Sequence, residues 1–123
     1  MTEENLQKQV CNYLRLQYPK VLFNSDLSGI KLTMGQAVKA KALRSSKGFP
    51  DLMIFEPKGK YHGLFIELKR DGEKIYKKDC TPVSEHVYNQ IKLINQLIIK
   101  GYYASFCIGF DSAKKLIDQY LSI

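Results

Sequence analysis

Three charged residues stand out by type and spacing: Asp51 directly after Pro50, and Glu67 and Lys69 in the run Glu67-Leu68-Lys69. Two carboxylates brought face to face can hold a hard divalent cation such as Mg²⁺, which keeps several waters and takes phosphate oxygens into the rest of its shell. Such a cation polarises a phosphodiester and acidifies a bound water. An ammonium beside it can orient that water or stabilise charge developing on phosphorus. The same residues also admit a plainer reading. Asp51 is then a turn residue behind a proline, and Glu67 and Lys69 are an ion pair on an exposed edge strand.

The elements around these residues favour convergence. Leu52 to Phe55 is apolar enough for a buried strand, and Leu64 to Leu68 is rich in β-formers. Glu56-Pro57-Lys58-Gly59-Lys60 between them carries the Pro and Gly of a reversal. A hairpin folded symmetrically about Gly59 sets Asp51 opposite Glu67 and Met53 opposite Phe65, with opposed Cβ atoms roughly 5 Å apart. Glu67 and Lys69 are two apart, so they share one face of their strand while Leu68 takes the other. A slip of one residue would undo this pairing.

The rest of the chain supplies helices at fixed places. Leu6, Val10, Tyr13, Leu14 and Gln17 recur at helical spacing behind Thr2 as N-cap, and Pro19 ends that helix at Tyr18. Val21 to Ser25 reads as a short strand, and a short helix is expected near Gln36 to Leu43. After a polar basic loop from Asp71 to Thr81, Pro82 is expected to open a helix running to about Lys100. Its core side would be Val87, Ile91, Ile94, Leu97 and Ile98, with Gly101 closing it. Tyr102 to Ile108 reads as a strand, and Ser112 to Leu121 as a last helix capped by Asp111 or Ser112. The expected order is α-β-β-β-α-β-α, an α/β fold in one domain spanning residues 1–123, a length sufficient for a single core.

Charge and cysteine usage narrow the partner and the compartment. The net charge of +7 suggests a polyanion, nucleic acid foremost. The surplus clusters on both sides of the candidate site: Lys31, Lys39, Lys41, Arg44 and Lys47 before it, Arg70, Lys74, Lys77 and Lys78 after it. A solvated basic surface is the plainer reading of such runs. Neither run forms a basic amphipathic helix with a broad apolar face, and no apolar stretch approaches the length of a membrane span, so no membrane role is expected. Cys11, Cys80 and Cys107 are odd in number and form no CxxC pattern, which suits reduced thiols in the cytoplasm and not a zinc site. His62 and His86 are isolated and read as structural or surface residues.

Pro50-Asp51 with Glu67-Leu68-Lys69 resembles the signature of the PD-(D/E)XK nuclease superfamily. The wider set is more specific: Gly48-Phe49-Pro50-Asp51-Leu52, Gly63-Leu64-Phe65-Ile66-Glu67-Leu68-Lys69, Gln90, and Gly101-Tyr102-Tyr103-Ala104. In this order they resemble the VRR-NUC branch in its small stand-alone form, typical of bacteria and bacteriophages, over nearly the whole chain. The resemblance implies a restriction-endonuclease-like core with a central mixed sheet flanked by helices. It implies a metal-dependent DNA endonuclease in which Asp51, Glu67 and the backbone carbonyl of Leu68 hold Mg²⁺ or Mn²⁺, and Lys69 handles the attacking water. Glu3, in an E-x-x-hydrophobic-Gln pattern with Leu6 and Gln7, matches the family's first-helix glutamate, with Glu4 as second choice. A dipole-complementing role at a helix N-terminus is the plain alternative for both. Gln90 matches the family's glutamine on the helix after ExK, and Asn24 and Ser25 match loosely positions near the nucleic acid. Lys39, Lys41, Arg44, Lys47, Arg70, Lys74, Lys77 and Lys78 are the expected DNA contacts. Stand-alone members are similar to Holliday-junction resolvases and act as homodimers, which implies selectivity for branched DNA and no small-molecule cofactor. Nicking, flap or duplex cleavage, or a catalytically silent DNA-binding module, remain the alternatives. The chain departs from many relatives in one place: Ala40 to Lys47 is less glycine-rich, which bears on the shape of the DNA channel.

Overall fold

The computed structural model describes residues 1–26 and 31–123. Four helices and four strands follow in the order α1 (Glu3–Gln17), β1 (Phe23–Ser25), α2 (Met34–Ala42), β2 (Leu52–Ile54), β3 (Leu64–Lys69), α3 (Glu85–Ile99), β4 (Tyr103–Ile108) and α4 (Phe110–Leu121). The strands form one sheet in the order β1-β2-β3-β4, antiparallel across β1-β2-β3 and parallel between β3 and β4. This is the expected mixed α/β architecture.

The hairpin has the expected register. Met53 pairs with Phe65 and Leu52 with Ile66, so one further step places Asp51 opposite Glu67. Strand β3 lies between β2 and β4, which rules out the exposed edge-strand reading of Glu67 and Lys69. All six β3 residues are buried, and their alternation splits the core into two layers. Leu64, Ile66 and Leu68 pack with Leu6, Val10 and Leu14 of α1 and Ala113, Ile117 and Tyr120 of α4. On the opposite face Phe65 packs with Leu93, Ile94 and Leu97 of α3. Glu67 and Lys69 share Phe65's parity and so belong to the α3 face.

Docking of α1 matters because it carries Glu3. Leu6, Val10 and Leu14 are almost wholly buried. Full burial of each such side chain contributes roughly 1.5–3 kcal/mol. Tyr13 and Tyr18 add a polar clamp, both hydroxyls donating to Asp118 Oδ1 of α4 at 2.5 and 2.7 Å. Thr2 caps α1 as expected, its side chain accepting from the Asn5 N–H at 3.1 Å.

Several boundaries differ from expectation, each for a local reason. Helix α3 begins at Glu85 and not at Pro82, because Ser84 is its N-cap, accepting from the Val87 N–H at 3.1 Å, while Pro82 bridges to Tyr76. The buried face of α3 is Val87, Gln90, Leu93, Ile94 and Leu97. Ile98 is half exposed, because the sheet covers a narrower arc than the apolar residues of this helix span. Helix α4 begins at Phe110 without an Asp111 or Ser112 cap. Gly109 turns the chain there at φ +83°, where a Cβ would collide with the Asp71 carboxylate. Strand β1 is shorter than Val21–Ser25, and β2 and β4 each lose one expected end residue.

The helix expected near Gln36–Leu43 is α2. A capping box starts it earlier, with Thr33 accepting from the Gln36 N–H and Gln36 accepting from the Thr33 N–H. It buries no residue. No helix among the described residues is long and apolar enough to cross a membrane.

Candidate active site

Three elements deliver three carboxylates to one point. Glu3 comes from the first turn of α1, Asp51 from the residue before β2, and Glu67 from the middle of β3. Their ligand oxygens all lie within 4.8 Å of one another. Asp51 and Glu67 are 1 % and 2 % exposed, which would be costly for unpaired charges. Glu4, the second choice on α1, instead lies at 4.0 Å from Lys8 across one helical turn.

Backbone and side chain interlock at the strand ends. The Asp51 N–H donates to Glu67 Oε2 at 3.1 Å, and the Leu68 N–H donates to Asp51 Oδ2 at 2.9 Å. These bonds hold the two carboxylates in the hairpin register. Burial, and then the neighbouring Asp51 carboxylate, push the Glu67 carboxyl far above the ordinary carboxylate range, while Lys69 pulls it back. An oxygen cluster that resists ionising together suits a cation that would replace the retained proton.

Gln90 ties the lysine to this cluster from α3. Lys69 Nζ donates to Gln90 Oε1 at 2.9 Å, and Gln90 Nε2 donates to Glu67 Oε1. The ammonium can only donate, so the amide oxygen faces it and the amide has one orientation. Lys69 also lies over the Phe106 ring at 5.9 Å. Lys69 and Gln90 are 5 % and 3 % exposed, so both belong to the interior wall of the site.

The loop that brings in Asp51 depends on Gly48. Its φ is +86°, and a Cβ there would stand 2.9 Å from the Asn89 carbonyl carbon and 3.0 Å from the Gln90 amide nitrogen. Only glycine lets this loop lie against the α3 backbone beside Gln90. Gly48→Ala is expected to cost about 2 kcal/mol, from the left-handed backbone and the contact together. A urea denaturation midpoint equal to wild type would contradict this.

The eight basic residues expected to meet DNA are all exposed: Lys39 and Lys41 on α2, Arg44 and Lys47 after it, and Arg70, Lys74, Lys77 and Lys78 after β3. Arg70 is already paired with Glu73 at 2.8 Å. Lys47 lines a hollow beside Asn89, Lys92 and Gln96 of α3.

Sequence reasoning missed one contributor, Gln7, and one contact at the rim, from His86. His86 is exposed, as the sequence suggests, and its Nε2 lies 3.2 Å from Gln90 Nε2. The signal was available, since residues four apart share a helix face. Gln7 entered only as part of a pattern, yet it is buried and donates to Ser25 Oγ at 2.5 Å and to the Asp26 carbonyl at 2.6 Å. The Ser25 hydroxyl donates in turn to the Asp51 carbonyl at 2.9 Å, and the Asp26 N–H donates to the same oxygen at 2.7 Å. The end of β1 thereby supports the residue that carries the first carboxylate. Asn24, by contrast, is exposed and pairs across to Met53.

A solved structure described as a "VRR_NUC domain protein" is similar to this chain, with a TM-score of 0.73 and 30% identity over 99% of this chain and 89% of that one. No protein-family model and no curated protein matches the chain.

Proposed function

The chain belongs to the VRR-NUC family, and from that premise we propose that it is a divalent-metal-dependent DNA endonuclease acting on branched DNA such as the Holliday junction. The observation that carries this reading is the convergence of Glu3, Asp51 and Glu67 within 4.8 Å, beside a buried lysine held by Gln90. The donor set is all hard oxygen, which fits Mg²⁺ or Mn²⁺. Glu3, Asp51, Glu67 and the Leu68 carbonyl are the groups that would hold it. A cation bound there supplies Lewis acidity toward the phosphodiester and lowers the pKa of a water.

The protein's own part is positioning and electrostatics. Lys69 places a positive charge where the phosphorane develops negative charge, and its N–H can orient the attacking water by a hydrogen bond to the water oxygen. Gln90 holds that ammonium and Glu67 in fixed relation, so neither reorganises during reaction. The intact Asp51, Glu67 and Lys69 set weighs against a silent DNA-binding module. A homodimer with two such sites would cut a four-way junction symmetrically.

The test is cleavage of a labelled four-way junction beside flap, duplex and single-stranded DNA, with Mg²⁺, Mn²⁺ or EDTA. Paired, metal-dependent nicks across the junction are expected. Cutting of flap or duplex instead keeps the chemistry and removes the junction selectivity. Binding without cutting under every metal would support the silent module.

Net charge and the basic loop predict how binding depends on salt. Each phosphate contact contributes about one unit to the slope of log affinity against log salt. Neutralising Lys74, Lys77 and Lys78 together is expected to lower that slope by up to about three units. An unchanged slope would place the loop away from DNA.

A further inference from the structure

Among the helices described, α2 alone buries no residue. It has nine residues, one of them Gly35. A helix this short is marginal in water without a packed face, and an interior glycine weakens it further. Its surface is not that of a solvated helix either. Met34, Val38 and Ala42 recur every four residues and so share one face. Met34 is 86 % exposed and Val38 64 %, and Leu43 just past the helix is 87 % exposed. Ala40, the one partly buried residue of α2, stands two on from Val38 and so lies on the opposite side. The apolar stripe therefore points away from the protein. Lys39 and Lys41, one and three residues on from Val38, flank it on its two sides.

The charge around the stripe selects its occupant. Lys31, Lys39, Lys41, Arg44 and Lys47 lie between Asp26 and Asp51, and no acidic residue does. None of the five forms an ion pair among the described residues. A second copy would bring five cations against five, which opposes association through this face. The stripe is too narrow to hold a lipid surface. Duplex DNA meets both parts: its phosphates neutralise the lysines, and its base edges and sugars offer apolar surface between them. Of its two grooves only the major, about 12 Å wide, admits a helix. The position along the chain agrees. Residues 43–50 link α2 to Asp51, and Gly48 in that link lies against the α3 backbone beside Gln90. The six steps from Ala42 to Gly48 span at most roughly 22 Å, which keeps α2 near the acidic cluster.

We propose that α2 is a DNA-docking helix that lies in the major groove of the duplex arm beside the cut. Lys39 and Lys41 meet phosphates along the two rims of the groove, and Met34 and Val38 face its floor. The inference rests on the nuclease reading above and adds an apolar contact to the basic ones.

The experiment measures binding of a labelled four-way junction in EDTA, independently of cleavage, by fluorescence anisotropy over a range of salt. Two double variants are compared with wild type. Both replace exposed residues by alanine, the best helix former, so α2 itself is not weakened. Met34→Ala with Val38→Ala is expected to weaken binding about tenfold and leave the salt slope unchanged, since apolar contacts release no counterions. Lys39→Ala with Lys41→Ala is expected to lower the slope by about two units. In wild type, hydrogen exchange at the amides of α2 should slow when the junction is added. An apolar variant that binds within twofold of wild type, an unchanged slope in the lysine variant, or no protection of α2 overturns the proposal. A changed oligomeric state of the apolar variant in sedimentation also overturns it, and assigns the face to a second copy. A protein that cuts DNA yet fails these tests refutes this inference alone. One that neither binds nor cuts any DNA refutes the nuclease reading and this inference with it.

Discussion

Asp51→Asn is expected to abolish cleavage and, at the same time, to raise the melting temperature of the metal-free protein. Both effects have one cause. Asp51, Glu67 and Glu3 crowd three carboxylates within 4.8 Å, two of them buried, so the site without a cation stores charge repulsion. The neutral amide keeps an oxygen for the Leu68 N–H, which Asp51 Oδ2 now accepts at 2.9 Å. It removes one of the repelling charges, and about 1 kcal/mol of relief raises the melting temperature by roughly 4 °C in a chain of this size. Wild-type protein should gain stability on adding Mg²⁺ or Mn²⁺, because a ligand that binds only the folded state stabilises it. The variant should not. Differential scanning fluorimetry with and without EDTA reads all of this. A variant less stable than wild type in EDTA, or one that keeps the metal response, would contradict the ligand assignment.

The pH dependence has a definite sign. Glu67 keeps its proton to a higher pH in the folded state than in the unfolded chain, owing first to burial and then to Asp51. The folded state therefore binds more protons across the window above the unfolded value of about 4.3. Stability of the metal-free protein falls as pH rises through neutral, since stability rises with pH only where the unfolded state holds more protons. A bound cation displaces that proton, so the metal-induced gain in melting temperature grows over the same window. A gain that is flat from pH 5 to 8 would sink this account.

Lys69→Met is expected to cost about 10²- to 10³-fold in cleavage rate, the usual loss when one preorganised electrostatic stabiliser is removed. Folding and junction binding should remain nearly intact, because methionine fills the space beside Phe106 and the proposed phosphate contacts lie elsewhere. One further consequence separates this variant from Asp51→Asn. Lys69 is the charge that opposes the upward push on Glu67. Without it the cluster holds its proton more tightly, so metal binding at neutral pH should need a higher metal concentration in proportion to that competition. Cleavage retained within threefold of wild type would remove Lys69 from the mechanism. Calorimetric Mn²⁺ titration of the same variant, compared at two pH values, checks the proton competition.

The legible part of this protein was local. The Pro57 and Gly59 reversal and the alternation of Leu64 to Lys69 were enough to set the hairpin register, and with it the pairing of Asp51 and Glu67. Period-two alternation likewise placed Glu67 and Lys69 on one face and Leu68 on the other. The capped start of α1 and the glycine closing α3 were equally readable, because caps and turns involve residues a few positions apart. The start of α3 lies at Ser84 and not at Pro82, because Pro82 is held in a bridge to Tyr76, a contact outside the helix.

Tertiary structure decided what depends on distant elements meeting. Whether Glu3 or Glu4 reaches the cluster turns on how Leu6, Val10 and Leu14 seat α1 against β3 and α4, a rotation no local pattern specifies. Gln90 stood beside an apolar residue and could have faced either way. Packing of Leu93, Ile94 and Leu97 under Phe65 turned it inward to Lys69. Gln7 Oε1 and Asp26 Oδ2, buried without a hydrogen-bond partner among the described residues, have no sequence signature, because a missing partner is a property of the assembled surroundings. Residue types and spacing along single strands and helices thus determined the chemistry available to this chain. Helix-on-sheet packing, which fixes rotations about axes that sequence period leaves free, decided which side chains share the site.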